Sequence, residues 1–217
     1  MVAQRTSERK GFLFVLEGID GAGKSCVCDL ISQQLLDAKY PVVRLREPTK
    51  ESKWGKEIRE RSPKGELTPE EELELFLRDR EWHISNRINP ALQDGKIILL
   101  DRYFFASGAY QSVCTGLPWK EILKRNREEI HAPEPDIVFL LDLPVEEGLQ
   151  RTMGRKESAN LQFETTQRLI GVRQAYLEMA NNDIGNIQII DAMKPLDEVV
   201  KQVMEIILEY LRKRMQK

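Results

Sequence analysis

Residues 18–25 read Gly-Ile-Asp-Gly-Ala-Gly-Lys-Ser and satisfy the pattern G-x-x-x-x-G-K-[ST] in full. The apolar run Phe-Leu-Phe-Val-Leu-Glu at 12–17 precedes it, and a helix-length segment follows. No other feature constrains the chain as much. A strand, a glycine-rich turn and a helix in this order turn backbone N–H groups inward. The positive end of the helix dipole is added to them, and the result is a cradle for a phosphate. Lys24 then brings a charge to the outer phosphates, and Ser25 offers a hydroxyl to Mg²⁺. Asp20 is the unusual member, since an acid inside an anion cradle must point away from it. It either accepts hydrogen bonds from a sugar hydroxyl or an arginine, or serves only the chemistry of the turn.

Four more short runs rich in Val, Ile and Leu follow, at 41–45, 96–100, 137–141 and 187–190. None alternates apolar with polar, which is the pattern of parallel strands covered on both faces. Between the strands lie amphipathic segments of helix length, at 24–39, 68–94, 118–131, 145–155, 165–182 and 196–213. Strand–helix alternation predicts a doubly wound α/β domain, in which ligands sit beyond the carboxyl ends of the strands. There is no repeat or low-complexity linker, so a single domain over 1–217 is expected.

Composition narrows the functions. The chain has 33 Lys+Arg against 35 Asp+Glu, a formal net charge of -2, which argues against a general nucleic-acid binder. No apolar run approaches the roughly 20 residues of a membrane span, and the N-terminal residues carry no secretory core. Cys26, Cys28 and Cys114 form no even framework and have no neighbouring His. They read as reduced thiols of a cytoplasmic protein, with Cys26 and Cys28 as core filler on the first helix.

The residues after the other strands point to a second anion site. The strand at 96–100 runs into Asp101-Arg102-Tyr103. Asp101 is placed to join the Mg²⁺ shell, and Arg102 to present a planar fork to a phosphate. In the helix at 68–94, Arg80 falls inside the apolar stripe of Leu73, Phe76, Leu77, Ile84 and Ile88. A buried arginine needs an internal carboxylate or an anionic ligand. Phe76, one turn away, offers an aromatic face for a base or ordinary core packing. Glu47 and Pro48 leave the strand at 41–45 on the ligand side. Ser107, Tyr110 and Gln111 carry polar groups at helical spacing. Finally, Arg151, Arg155 and Lys156 crowd one short segment. Phosphoryl transfer needs such cations, because charge spreads over the equatorial oxygens of the transferring group.

These residues together resemble the thymidylate kinases, within the nucleoside monophosphate kinases of the P-loop fold. The resemblance covers nearly the whole chain. It rests on FVLEGIDGAGKS, LREP at 45–48, ELFLRDR at 74–80, DGKIILLDRY at 94–103, SGAYQ at 107–111 and PDIVFLLDLP at 135–144. It implies an α/β P-loop kinase fold with a five-stranded parallel sheet flanked by helices on both faces. A short mobile lid is expected over about 151–163. It also implies Mg²⁺-assisted transfer of a phosphoryl group from ATP to dTMP, by a homodimer that binds neither nucleic acid nor membrane.

Residue by residue, the resemblance places the ATP phosphates on Gly18, Ile19, Asp20, Gly21, Ala22, Gly23, Lys24, Ser25 and Cys26. It places dTMP on Glu47, Phe76, Arg80, Arg102, Ser107, Tyr110 and Gln111, and the metal near Ser25, Asp101 and Glu47. Asp191–Pro195 would border adenine. Catalysis would fall to Lys24, Arg102 and Asp20, with Arg151 and Arg155 supplying the lid arginine because position 21 is Gly. The chain departs from the family's pattern at Thr49-Lys50, where Gly-Gly is usual, and at 159–162 past the lid. Two other readings stand beside this one. A deoxynucleoside kinase would use Glu47 as general base, as the EPT…W element (Glu47, Pro48, Trp54) faintly suggests. A nucleotide-binding relic would turn nothing over.

Overall fold

The computed structural model describes residues 9–152 and 159–215, with the side chains of 159–165 and 215 outside the description. Five parallel strands form one sheet: β1 (Phe12–Glu17), β2 (Val42–Arg46), β3 (Ile97–Asp101), β4 (Ile137–Asp142) and β5 (Ile187–Asp191). Their order is β2-β3-β1-β4-β5. All five expected strands are present, each within a residue or so of its expected span. Leu13 to Glu17 are buried on consecutive positions. Successive strand residues face opposite sides, so both faces of the sheet are covered there. The edge strands differ: β5 leaves Gln188 and Ile189 exposed, because an edge is covered from fewer directions.

The helices are α1 (Lys24–Asp37), α2 (Lys53–Arg61), α3 (Pro69–His83), α4 (Asn89–Gln93), α5 (Phe104–Thr115), α6 (Trp119–Glu128), α7 (Val145–Thr152), α8 (Ala159–Asn182) and α9 (Leu196–Met215). The pair α1 and α9 packs together, with α1 over β1–β3 and α9 against β5. Helix α8 lies over β4 and β5 with α5 against it, and α6 and α3 extend that layer. The core runs from Phe14, Leu99 and Phe139 of the sheet to Ile31, Phe105, Val172 and Ile207 of the helices. Truncating one such Leu or Ile to Ala costs about 2–5 kcal/mol.

Three sequence expectations need correction. The segment 68–94 is not one helix. A wide π-helical turn over Ile84–Ile88 separates α3 from α4, and Asn89 N–H reaches back five residues to Ile84. Pro90 has no N–H to continue the normal ladder, and the turn widens ahead of it. Helix α2 was not expected as an element, and α5 was foreshadowed only by the helical spacing of Ser107, Tyr110 and Gln111. Helix α2 is mostly charged, with Trp54 and Ile58 as its apolar residues, and it is held by Ser52 accepting from Gly55 N–H. Cys26 is exposed, whereas Cys28 is buried as expected. Among the described residues, no helix is long and apolar enough to cross a membrane.

Register places the site. Leu16 of β1 and Arg46 of β2 both lie opposite Asp101 of β3. Beyond this line the ladder closes with Arg102 N–H to Leu16 O at 3.0 Å and Glu47 N–H to Asp101 O at 3.1 Å. The phosphate loop, Arg102 and Glu47 therefore emerge side by side at the carboxyl edge of the sheet.

Candidate active site

The loop of residues 18–23 wraps over the N-terminus of α1. Gly21 has φ 82°, and a Cβ there would lie 2.2 Å from the carbonyl oxygen of Gly148 in α7. A Cβ on Gly148 would in turn sit 2.6 Å from the Asp20 carbonyl oxygen. The loop is thus pressed against the α7 backbone, and position 21 has no room for a side chain. Lys24 is buried and folds back into the loop, donating to Gly18 O at 3.0 Å and Ile19 O at 2.8 Å. Burial, then the Arg102 charge, lowers its pKa to about 7, against the pull of Asp20, Asp101 and Glu17.

Ser25 Oγ donates to Asp101 Oδ2 at 2.5 Å. Arg46 Nε stands 3.7 Å from the same oxygen. The second oxygen, Oδ1, is buried and has no hydrogen-bond partner among the described residues. An orphaned carboxylate oxygen costs free energy unless something cationic satisfies it. Beside a hydroxyl at a phosphate loop, this donor pair fits a hard, oxygen-seeking divalent cation.

A cavity of about 500 Å³ opens next to the loop. Its wall contains Asp20, Glu47, Phe76, Arg80, Arg102, Ser107, Tyr110 and Gln111. Every residue expected on the acceptor side is therefore brought to one cavity, from β2, α3 and the β3–α5 turn onward. Arg102 adopts φ 70°, unusual for a non-glycine residue, and its guanidinium pairs with Asp20. It also lies over the Tyr110 ring at 5.0 Å, and Tyr110 OH reaches Asp20 Oδ2 at 3.4 Å. Burial raises the Asp20 pKa, but Arg102 and Lys24 outweigh it and hold the carboxyl below its usual range.

Arg80 answers the question left by its buried position. It is 1% exposed and donates to Glu47 Oε2 at 2.8 Å, Asn126 Oδ1 at 2.7 Å and Ser107 Oγ at 3.1 Å. An internal carboxylate satisfies it, and it still lines the cavity. Glu47 is engaged on both oxygens, by Arg80 and by His83 Nδ1 at 3.0 Å. The described hydrogen bonds of its carboxylate go to these two residues rather than to the Ser25–Asp101 side chains.

On the other side of the loop, Arg151 donates from both terminal nitrogens to Ala192 O at 3.2 Å, and from Nη1 to Gly21 O at 3.5 Å. It therefore joins the end of α7 to the phosphate loop and to the stretch Asp191–Pro195. Arg155 and Lys156 lie outside the described residues.

Sequence reasoning missed Glu17, the residue under this arrangement. It is fully buried and accepts from Tyr103 N–H at 2.8 Å, Ala106 N–H at 3.1 Å and Tyr176 OH at 2.8 Å. Burial pushes its pKa up to about 7, while Arg102, Tyr176, Tyr103 and Lys24 pull it back. The signal was present: a carboxylate closing a strand that is otherwise wholly apolar. Glu72, Arg168, His83, Asn126 and Gly148 were also missed. Glu72, His83, Asn126 and Gly148 meet Gln111, Glu47, Arg80 and Asp20, each of which lies far away in the chain, and Arg168 reaches the cavity wall from α8.

Comparison with known proteins agrees with this geometry. The family model described as thymidylate kinase matches residues 16–203. A thymidylate kinase of Xanthomonas euvesicatoria pv. vesicatoria (strain 85-10) is 40% identical over 205 residues, covering 94% of this chain and 87% of that protein. A probable thymidylate kinase of Archaeoglobus fulgidus is 42% identical, covering 92% of this chain and 96% of its own. One from Xylella fastidiosa (strain M12) is 36% identical over 94% of this chain and 90% of that protein.

Proposed function

The chain belongs to the thymidylate kinase family, enzymes of nucleotide biosynthesis that transfer a phosphoryl group from ATP to dTMP to give dTDP, and we propose how its residues divide that work. One observation carries the proposal: a single cavity gathers all the acceptor-side residues and opens at a phosphate loop shared with Lys24. ATP lies with its phosphates along 18–26 and its adenine beside Asp191–Pro195. The dTMP base enters between Phe76 and the Arg80–Gln111 wall, and Tyr110 packs against the sugar. Its phosphate takes Arg102 from Asp20.

An oxygen of that phosphate attacks the γ-phosphorus, and the bond to the β-phosphate oxygen breaks. No general base is required, because a phosphate monoester is already anionic near neutral pH. This removes the need for Glu47 to accept a proton, and both of its oxygens are occupied by Arg80 and His83. Lys24, freed from Gly18 and Ile19, turns to the outer phosphates of ATP. Asp20 holds Arg102 in place until dTMP arrives, and Arg102 then holds the acceptor while Asp20 keeps its contact with Tyr110. Arg151, with Arg155, supplies positive charge from the α7 side, where charge builds up on the transferring group.

Ser25 and Asp101 would hold Mg²⁺, directly or through water, with Glu47 acting at a distance by ordering its neighbours. The metal would neutralise charge on the β- and γ-phosphates. By likeness to the family, the working assembly is a cytoplasmic homodimer, with 1–217 as one domain. Light scattering in solution and cell fractionation read these directly. The decisive experiment is a coupled ADP-release assay with dTMP and thymidine as acceptors. Turnover of dTMP alone supports these roles, and consumption of thymidine in its place defeats them.

A further inference from the structure

Glu72, Phe76 and Arg80 follow one another at intervals of four residues on α3, and all three line the acceptor cavity. The Glu72 carboxylate bridges two other wall residues. Its Oε1 accepts from Ser62 Oγ, and its Oε2 accepts from Gln111 Nε2 at 3.4 Å. A carboxylate only accepts, so the Gln111 amide must turn its NH₂ toward Glu72. That leaves the Gln111 side-chain oxygen Oε1, to which no described residue donates, on a residue that is 4% exposed and lines the cavity. Beside it, Arg80 has five N–H groups, and three are directed at Glu47, Asn126 and Ser107. The wall therefore carries spare donors next to one fixed acceptor.

Resting on the dTMP reading of this cavity, we propose that Glu72 is a positioning residue that fixes the orientation of the Gln111 amide. The fixed carbonyl accepts from the N3–H of an incoming pyrimidine while Arg80 donates to its 4-carbonyl. Thymine and uracil present that acceptor–donor pair. Cytosine presents the reverse, with an amino group at C4 and a bare N3, so each contact is mispaired and buried. Unmade buried hydrogen bonds reject a ligand far more strongly than a missing methyl does. Without Glu72 the amide is free to flip, and its NH₂ then suits cytosine.

The test measures kcat and KM for dTMP, dUMP and dCMP at saturating ATP, in the wild type, Glu72→Gln, Glu72→Ala and Ser62→Ala. In both Glu72 variants the dTMP KM is expected to rise with little change in kcat or in the KM for ATP. The dTMP-to-dCMP ratio of kcat/KM is expected to fall roughly 10- to 100-fold, the worth of one misdirected hydrogen bond. Ser62→Ala removes the other partner of Glu72 and should leave the ratio in place. An equal loss with dTMP and dCMP, or a Ser62→Ala effect as large, would reduce Glu72 to a brace between α2 and α3 and overturn the proposal. A wild type with no preference for dTMP over dCMP overturns the cavity reading itself, and it does so before any substitution is made.

Discussion

Arg102 and Asp20, 82 residues apart in the chain, are ion-paired at the seam where the phosphate loop meets the acceptor cavity. The pair is poised rather than purely structural, because Asp20 is more than half exposed. An incoming phosphate brings more negative charge and more acceptor oxygens than one carboxylate, so it competes for the guanidinium. Removing Arg102 should therefore fall on one substrate. In Arg102→Ala, kcat/KM for dTMP is expected to drop roughly 10²- to 10³-fold, the scale of losing one partner of a buried charge pair. The dissociation constant for ATP should change little. Calorimetric titration of ATP beside steady-state kinetics in dTMP separates the two, and an equal loss of both would deny Arg102 its assigned phosphate.

Lys24 links nucleotide binding to protons. Unfolded, a lysine titrates near 10.5, while the buried one titrates at about 7. Between those values the unfolded chain binds more protons, so stability rises with pH, and below about 7 the full cost is present. Lys24→Met should thus stabilise the empty protein by a few kcal/mol on the order-of-magnitude scale of one pKa unit per 1.4 kcal/mol. The gain should be larger at pH 6 than at pH 9 in urea unfolding. ATP restores the charged form, so binding at pH 8 should take up a proton, seen as a dependence of the binding enthalpy on buffer ionisation.

Glu17 shifts in the opposite sense. Its folded pKa of about 7 lies above the ordinary 4.5, so the folded protein holds the proton longer. Its contribution is fully favourable below 4.5 and is lost as pH rises through 7. Glu17→Gln keeps the shape and can still accept from Tyr103 and Ala106. The stability of this variant minus that of the wild type is expected to increase between pH 5 and pH 8. A flat difference curve would show that the buried carboxyl does not titrate in that window.

Gly148 sets local propensity against tertiary contact. In an isolated helix, Gly→Ala stabilises by about 1 kcal/mol. Here the new Cβ would meet the Asp20 carbonyl oxygen at 2.6 Å. Gly148→Ala is expected to weaken ATP binding by roughly tenfold through displacement of the phosphate loop, with no gain in melting temperature. A more stable variant with wild-type ATP affinity would mean that the loop yields freely.

Asp101→Asn tests the orphaned oxygen. The amide keeps the size of the side chain but loses its charge next to Ser25. The Mg²⁺ concentration for half-maximal activity is expected to rise roughly 10- to 100-fold, the usual scale for disturbing a metal's supporting groups. An unchanged Mg²⁺ dependence would place the metal elsewhere.

The sequence by itself determined what depends on neighbours in the chain. The strand–glycine–helix order set the phosphate loop, and the apolar runs set five parallel strands. Residues that follow strands, such as Arg102 and Glu47, were legible because the carboxyl edge of such a sheet collects them. Sequence alone did not decide between an internal carboxylate and a ligand for Arg80, and it offered no sign of the Gly21–Gly148 approach. These depend on pairs 33 and 127 residues apart, whose distance is set by register and helix packing. Glu17 was visible as an acid at the end of an apolar strand, yet its elevated pKa arises only when α5 and α8 close over it. Spacing along the chain fixes local geometry and the direction of a side chain. Burial and partnership are properties of the assembled interior, where desolvation and long-range pairing act together.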